Sequence, residues 1–498
     1  MAVILGIDLG TQSLKAMLLD TDRGPLDIES EAYEISIPKP GWAEEDPNRW
    51  WSALKSVLAR MKLAQPTAFA AIESIGFSGQ MHGFVALDAE ERPVYPAIIW
   101  VDQRSKRQVE EIESAYSFEE LARTMHNHVF TGFGFPSLLW LKQELPEVFA
   151  RIHRICAPKD YLRLLLIGGE AETETSDASS MTGFDFTHRD WNRDVLERFG
   201  LPAELFPTCH EAIQVAGTVS RSAAEETGLP EGARVVYGSG DQAAVLLGCG
   251  LYEEGKALVN IGTGATYNCY SQKDVYDARL RVQEFCNAIA RSYILCGAIL
   301  SGGLCMSWMK NRVLGIENYD AVNQYAREVP AGSEGLIFLP YLGGERAPHM
   351  DFNASGVFFG LRHIHDRRYF CRAVMEGVAM ALKDCDALMS DNGINCRTII
   401  ASGGGAKSPV WMQILADVLE KEVVITAVEE EASLGACILA GIGTGIFASA
   451  ADACDRFVRL RNERYEPIAE NAAHYAQTYE MYRALYPQLK NLMQKNAR

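Results

Sequence analysis

Asp241 is the only charged residue in the stretch VYGSGDQAAVLLGCG, which spans residues 236–250. A carboxylate among small and aliphatic neighbours can take a proton from a hydroxyl group, because such neighbours admit a substrate and exclude water. The alternative is structural, since an aspartate that follows a glycine turn often caps the next helix. The local pattern leaves both interpretations open.

A second isolated carboxylate, Asp8, follows an apolar run in VILGIDLGTQSLKAMLLDTD, residues 3–22. The pattern predicts a strand, a tight turn and a second strand. Glycine allows the turn to approach an anion closely, and the backbone N–H groups and the threonine hydroxyl can then face phosphate oxygens. Asp8 can hold Mg²⁺ beside those phosphates, or it can bond only to its own turn.

A similar unit returns about 250 residues later, in KALVNIGTGATYNCYSQKD, residues 256–274. Here Ala257–Ile261 and Ala265–Tyr270 are the predicted strands, and Gly262, Thr263 and Gly264 form the turn. Repetition of the unit predicts two domains of one ancestral design, although two unrelated hairpins have the same local pattern. The sequence contains no Walker A motif, so any phosphate would be bound by these turns.

The elements that must position these turns alternate between strand and helix patterns, which favours α/β layers. Helical spacing covers residues 136–152, and a longer helix is predicted to end at Asn392-Gly393. Residues 396–424 predict a strand, a triple glycine and a helix whose N-terminus is a candidate nucleotide contact. The apolar stretch at residues 432–451 predicts a buried helix and a turn, not a membrane span.

The chain has 498 residues, which suits two domains, expected at 1–247 and 248–498. A net charge of −18 argues against nucleic acid or an anionic membrane as the main partner. Twelve cysteines are scattered without paired metal-ligand spacing, so buried free thiols are expected. The N-terminus has no basic region before its apolar run, which predicts a cytoplasmic protein without a signal peptide.

Eight stretches between about Val3 and Pro487 occur in the order seen in FGGY carbohydrate kinases, which the chain resembles. They are GIDLGTQSLKAMLLD, GQMHGFVALD, PKDYLR…GE…TSDAS, GSGDQAA, NIGTGA, LPYLGGERAPH, GVFFGL and SGGGAKSPVWMQILAD. The resemblance implies an α/β fold of two actin-like (ribonuclease H-like) ATPase domains, with the active site in a central cleft. It also implies phosphorylation of a sugar by ATP with Mg²⁺, and a homodimer.

The resemblance implies that Asp241 and Asp8 are the catalytic residues and that Asp241 is the general base. Both would also hold the Mg²⁺ ion. Gly302 and Gly303 would flank the adenine. Glu345 and Arg346 would line the cleft, or Arg346 would belong to a buried ion pair. The residues expected to bind ATP are Gly10, Thr11, Gln12, Ser13, Gly262, Thr263, Gly264, Gly404, Gly405, Ala406 and Ser408.

Met81, His82, Asp241 and Gln242 would contact the sugar, with His82 donating to a hydroxyl and Met81 packing on the carbon chain. GQMHG and the later PAIIWVDQR are most similar to members that act on the ketose xylulose. Those members generally carry Asn where this chain has Gln242, and the Arg-Glu pair of glycerol-specific members is absent. The alternatives are another ketose or polyol as substrate, and an actin-like or Hsp70-like nucleotide switch, which would have no use for GQMHG.

Overall fold

Two mixed sheets of seven strands each lie at the centres of two α/β domains in the computed structural model, which describes residues 2–496. The first sheet contains β1 Val3–Leu9, β2 Ser13–Asp20, β3 Gly24–Ala32, β4 Ile72–Gly79, β5 Val215–Thr218, β6 Arg234–Val236 and β7 Ser239–Gly240. The second contains β8 Lys256–Ile261, β9 Ala265–Ser271, β10 Gln283–Cys286, β11 Tyr293–Ile299, β12 Thr398–Ser402, β13 Glu422–Thr426 and β14 Leu460–Tyr465.

The two sheets share one order over six strands, and β7 in the first sheet and β10 in the second have no counterpart. The order is β5–β6–β4–β1–β2–β3 in the first, with β7 also paired to β4, and β14–β13–β12–β8–β9–β11–β10 in the second. Each opening hairpin is antiparallel, and its first strand pairs in parallel with a later strand, β4 or β12. The predicted repeat of strand, turn and strand is confirmed.

Helices surround both sheets. In residues 2–496 they are α1 Pro47–Ala64, α2 Pro66–Ala70, α3 Lys106–Ser114, α4 Phe118–Met125, α5 Gly134–Glu144, α6 Pro146–Phe149, α7 Pro158–Ile167, α8 Thr175–Ser180, α9 Arg193–Arg198, α10 Arg221–Thr227, α11 Asp241–Gly248, α12 Gly303–Trp308, α13 Tyr319–Arg327, α14 Arg367–Asp391, α15 Pro409–Leu419, α16 Glu431–Gly443, α17 Ala450–Phe457 and α18 Ala469–Asn496. Short strand pairs join Glu44–Glu45 with Ala97–Ile98, Val85–Leu87 with Arg154–Cys156, Thr173–Glu174 with Cys209–His210, Phe184–Asp185 with Asp190–Trp191, and Ile337–Leu339 with Val357–Phe359.

Helix α16 lies in sequence between β13 and β14 of the second sheet but packs against β1 and β4 of the first sheet and against α11. Glycines make this close contact possible. A Cβ added at Gly76 would lie 2.0 Å from the Ala436 carbonyl oxygen, and one added at Gly435 would lie 2.0 Å from that of Ala244. Apolar side chains from both sheets and both helices share one buried cluster here, so the two halves of the chain are joined at this core.

The long helix α14 ends as predicted, with Asn392 as C-cap and Gly393 at φ +81°. The helix predicted over residues 136–152 is interrupted, because α5 ends at Glu144 and α6 begins at Pro146. Proline has no N–H to donate and disfavours helical geometry in the residue before it, and Leu145 has φ −134°. The triple glycine leads into a short 3₁₀ turn, Gly404–Lys407, before α15 begins.

All twelve cysteines are free, and eleven of them are buried, as the sequence predicts. Among residues 2–496, no helix combines the length and the apolar character that crossing a membrane requires. The domain boundary expected after residue 247 falls in the last turn of α11 and stays a prediction.

Candidate active site

The turn between β1 and β2 is held in place by two aromatic residues from outside it. The Tyr33 hydroxyl donates to the Gly10 carbonyl, and the Tyr33 N–H donates to the Gln12 carbonyl at 3.0 Å. Trp100 donates its indole N–H to the Thr11 Oγ at 2.9 Å. These bonds fix the turn before any ligand binds. The predicted residues lie in it or at the start of β2: Gly10, Thr11, Gln12 and Ser13.

The turn between β8 and β9 packs against the start of α12. The N–H groups of Gly302 and Leu304 both donate to the Thr263 carbonyl at 3.0 Å, and that of Gly303 donates to Gly262 at 2.8 Å. The turn's own N–H groups have no backbone acceptor among the described turn and loop contacts. The contact needs glycine, since a Cβ at position 302 would lie 2.6 Å from the Gly264 oxygen. Gly302 thus supports the second turn.

A cavity of about 660 Å³ extends from the second turn along α13 and α15. Ser408 is the N-cap of α15: its Oγ accepts from the Trp411 N–H at 3.1 Å and donates to Asn323 Oδ1 at 2.6 Å. Ala406 lies outside this cavity and lines a neighbouring one. The cavity of about 660 Å³ is lined by these predicted residues: Gly262, Thr263, Gly303, Gly404, Gly405 and Ser408. The same cavity is also lined by residues that the sequence did not predict, including Leu304, Tyr319, Asp320, Asn323 and Trp411.

Asp8 and Asp241 lie at one edge of the first sheet. Asp8 pairs with Ser78 in the register of β1 and β4, and Gly240, directly before Asp241, pairs with Gly79. Parallel strands end at the same edge, so both carboxylates come to it. The N-cap of α11 is Gly240, and Asp241 is the first helical residue, so the capping role does not account for Asp241.

Both carboxylates are harder to ionise than ordinary aspartates. Burial and then the charge of Asp8 raise the pKa of Asp241 to about 7, and a hydrogen bond from the Gln242 backbone opposes this only in part. Burial also raises the pKa of Asp8, against the hydrogen bond that its Oδ1 accepts from the Ser78 hydroxyl at 2.7 Å. The edge therefore concentrates negative charge in a partly desolvated place.

His82 has a fixed tautomer. Its Nδ1 lies 2.9 Å from the Ser180 carbonyl oxygen, which can only accept, so Nδ1 carries the proton. Burial lowers the pKa of His82 to about 4, so the ring is neutral at neutral pH and its Nε2 is an acceptor. The sequence interpretation had His82 donate to a sugar hydroxyl, whereas this geometry makes it accept. The ring stacks on Phe133, with centroids 4.0 Å apart.

Met81 is 3% exposed and packs against Phe285 and Cys296 of the second domain. A Cβ at Gly240 would lie 2.6 Å from the Met81 Cγ, so Met81 also packs directly against the segment that carries Asp241. Gln242, the next residue in α11, is half-buried. Met81, Asp241 and Gln242 thus lie together at the start of α11, and Phe285 and Cys296, from strands β10 and β11, pack against Met81.

A network of buried ion pairs next to Gly240 was not predicted from the sequence. Lys159 Nζ lies 2.7 Å from Asp160 Oδ1 and 3.0 Å from Asp177 Oδ2, and the Ser176 hydroxyl accepts from the Gly240 N–H at 2.9 Å. The network supports the backbone directly before Asp241. Its sequence signal was present in PKDYLR and TSDAS, two stretches of the resemblance to which no role was given.

Glu345 and Arg346 line the boundary between the domains without forming an ion pair with each other. Glu345 Oε1 accepts the backbone N–H groups of Leu300 at 2.9 Å and of Arg346 at 2.8 Å. Within residues 2–496, the Arg346 guanidinium has no carboxylate within 4.0 Å, so the buried ion pair left open by the sequence is not formed. Its ring partner is Phe130, at 4.9 Å.

Comparison with known proteins gives one consistent result. The model of the N-terminal domain of the FGGY family of carbohydrate kinases matches residues 3–248, and that of the C-terminal domain matches residues 257–444. A xylulose kinase from Lactococcus lactis subsp. lactis is 34% identical over 487 residues, which cover 98% of this chain and 97% of the relative.

Solved structures agree with the sequence comparison. The xylulose kinase from Rhodospirillum rubrum superimposes with a TM-score of 0.94 at 30% identity, covering 99% of this chain and all of that one. A gluconate kinase from Lactobacillus acidophilus gives a TM-score of 0.92 at 26% identity and 98% coverage of both chains. The chain belongs to the FGGY family of carbohydrate kinases.

Proposed function

We propose that this protein is an ATP-dependent kinase that converts D-xylulose to D-xylulose 5-phosphate. The observation that carries the proposal is the position of Asp241. This carboxylate has a pKa of about 7 and lies beside Asp8 at the sheet edge, with Met81 packed against the preceding residue, Gly240. Relatives that are named xylulose kinases, 30–34% identical over nearly the whole chain, favour xylulose over other sugars.

In the proposed reaction, Asp241 takes the proton of the sugar's C5 hydroxyl as its oxygen attacks the γ-phosphorus of ATP. A bond forms between that oxygen and phosphorus, the bond from phosphorus to the β-phosphate oxygen breaks, and ADP leaves. A pKa near 7 leaves a substantial fraction of Asp241 ionised at neutral pH and still makes it an effective acceptor. The turns at residues 10–13 and 262–264 would hold the phosphates with backbone N–H groups.

The two carboxylates fit a magnesium ion. Both offer oxygen ligands, which Mg²⁺ prefers, and the charge of Asp8 helps to raise the pKa of Asp241, so a cation between them would relieve their repulsion. The nearest basic residue to affect Asp8, Lys15, is itself paired with Glu430 at 2.7 Å. Asp8 and Asp241 would hold the ion, which would neutralise charge on the transferred phosphate.

The remaining proposed contacts concern the nucleotide and the sugar. The cavity along α13 and α15 would take the adenosine, with Gly404, Gly405 and Ser408 on its wall. Ala406, expected to bind ATP, is proposed only as support for that loop because it lies on the other side. Gln242 would reach sugar hydroxyls from the first turn of α11.

An assay of ADP release over a panel of acceptors tests the function. D-Xylulose should give the highest kcat/KM, above D-ribulose, xylitol, glycerol and gluconate. Asp241→Ala should lower kcat by at least about 10²-fold, because the general base is lost, while ATP still binds through the two phosphate turns and the adenosine cavity. Asp194→Ala, at an exposed aspartate on α9, is the control and should keep full activity. Preference for another acceptor would overturn the substrate, and phosphorylation of none would overturn the kinase activity.

A further inference from the structure

Two cysteines of the second domain touch each other although they lie far apart in the chain. Cys269 Sγ is 3.3 Å from Cys396 Sγ, and 127 positions separate the two residues. Cys269 belongs to β9, and Cys396 precedes the start of β12. The sulfurs of a disulfide are about 2.05 Å apart, so a further approach of about 1.2 Å would allow these two to bond.

Cys396 has more freedom than Cys269 to make that approach. Strand β9 is held on both sides, because it pairs with β8 and with β11 at the position of Cys269. Cys396 lies outside the strands and helices, in the segment that joins α14 to β12. Its neighbours Asn395 and Arg397 are exposed, and Cys396 is itself 5% exposed, whereas Cys269 is fully buried. A small reagent therefore reaches Cys396 first.

Cys396 is also the more acidic thiol of the pair. A hydrogen bond from the Cys269 thiol lowers the pKa of Cys396, burial opposes this, and the charge of Lys421 lowers it further. Asp386, the ion-pair partner of Lys421, acts in the opposite direction. Burial raises the pKa of each of the other eleven cysteines. The thiolate is the form that reacts with peroxides, so Cys396 should react before the others.

We propose that Cys396 and Cys269 form a reversible disulfide when hydrogen peroxide oxidises the protein. The Cys396 thiolate attacks one peroxide oxygen, the O–O bond breaks, and the leaving hydroxide takes up a proton to become water. Cys396 is then a sulfenic acid. The Cys269 sulfur attacks the Cys396 sulfur, the S–O bond breaks, and a second water leaves with the Cys269 proton. Two thiols are thereby oxidised to one disulfide, and the peroxide is reduced to two waters.

The bridge would close the segment 269–396, which contains α12, α13 and α14. All three helices contribute to the wall of the cavity that is proposed to take the adenosine. Cys269 pairs with Ala257, at the start of β8, and so lies far along the strands from the turn at residues 262–264. A crosslink restricts the unfolded chain, so oxidation should stabilise the second domain and leave the phosphate turn unchanged.

Peroxide treatment of the folded, full-length protein tests the site. The remaining thiols are alkylated, and a digest made without reductant is analysed by mass spectrometry. We expect a linked pair of peptides that contain Cys269 and Cys396, lighter by two hydrogen atoms than their sum, which dithiothreitol separates. The oxidised protein should melt at least about 3 °C above the reduced protein. Cys454, 4% exposed on α17, is the matched control and should remain a thiol.

Serine variants separate the roles of the two cysteines. Cys269→Ser should stop the reaction at the Cys396 sulfenic acid, which dimedone traps, and Cys396→Ser should leave Cys269 as a thiol. Cys454→Ser should form the link as the wild type does. The proposal would be overturned by a link that forms only after unfolding in urea, by Cys454 reacting as fast as Cys396, or by Cys396 reaching the sulfinic acid without a link. These outcomes do not depend on which acceptor the protein phosphorylates.

Discussion

Asp241 is an unusual aspartate because its surroundings, more than its side chain, determine its chemistry. Burial is the larger cause of its raised pKa, and the charge of Asp8 adds to it. Asp8 is half-buried, and desolvation raises its pKa as well. A base whose pKa lies near the working pH is ionised often enough to accept a proton and is still basic enough to favour the transfer. The same surroundings favour the neutral form, so catalytic readiness and folded-state stability oppose each other at this residue.

The acid limb of the pH profile should belong to Asp241. We expect kcat/KM to rise with increasing pH up to about 7, because the base must lose its proton; the positive charge of Mg²⁺ would move the midpoint below the value of about 7 that the carboxylate has without the ion. His82 has a pKa of about 4 and stays neutral over this range. His82→Asn should raise the sugar KM and keep the limb; asparagine tolerates the φ of +74° found there. Steady-state rates from pH 5 to 9 test this, and loss of the limb in His82→Asn would assign it to His82 instead.

Asp241→Asn should stabilise the protein at high pH. The folded pKa of about 7 lies above the ordinary value of 3.8, so ionisation costs the folded state stability as the pH rises between these values. Without nucleotide or metal, the gain at pH 8 should approach but not exceed about 4 kcal/mol, and it should vanish near pH 4. Urea unfolding at both pH values measures it. A gain that is equal at both would contradict the linkage, and Asp194→Asn serves as the exposed control.

At the scale of elements, α11 and α16 connect the chemistry with the fold. Helix α11 begins at Asp241, and α16 packs against it and against β1, which ends beside Asp8. Their backbones approach so closely that a Cβ at Gly248 would lie 1.9 Å from the Glu431 carbonyl oxygen. Backbone atoms of packed helices cannot swing aside as a flexible side chain can. The positions of both carboxylates therefore depend on small residues between these helices.

Gly435→Ala should destabilise the protein by at least the roughly 1–3 kcal/mol typical of overpacking. The added methyl would lie 2.0 Å from the Ala244 carbonyl oxygen, so α11 must shift, and kcat should fall with it. Gly445→Ala is the control: its surroundings are open, and only the left-handed φ of +76° resists alanine, a cost of about 1 kcal/mol. Chemical unfolding and steady-state rates compare the two, and equal losses would contradict the packing argument.

At the scale of the whole molecule, hydrogen bonds tie the outer strand β10 to the first domain. Asn127 donates its amide to the Glu284 carbonyl and accepts the Glu284 N–H, both at 2.8 Å. His126 Nδ1 lies 2.7 Å from Glu284 Oε2, and Ser179 accepts from the Cys286 N–H. These contacts bridge residues more than 100 positions apart. They hold the second domain over the residues proposed to bind the sugar.

Asn127→Ala should loosen this bridge, because it removes two interdomain hydrogen bonds worth about 1 kcal/mol each. The sugar KM should rise about 5- to 30-fold, and the radius of gyration with sugar and nucleotide bound should exceed that of the wild type in X-ray scattering. Asn192→Ala removes the N-cap of α9, a bond within one domain. That variant should lose stability without a change in the radius. Identical scattering of Asn127→Ala and the wild type would contradict a role in closure.

Local chemistry determined what the sequence could predict by itself. Apolar runs around glycine turns predicted the two hairpins, and helical spacing with Asn392-Gly393 predicted the end of α14. The helix break at Pro146 also has a local cause, but the apolar periodicity of residues 136–152 predicted one continuous helix. The motifs, through the resemblance, named the residues of both turns and of the sheet edge.

Only the tertiary structure decided which groups meet. It paired α16 with the first sheet and placed the Trp100 indole against Thr11. It also left Ala406 outside the cavity that is proposed to take the adenosine. It also fixed the proton of His82 on Nδ1 and left Arg346 without a carboxylate. The physical reason is the same throughout: pKa values, tautomers and unpaired charges depend on desolvation and on partners far away in sequence, which no local pattern specifies.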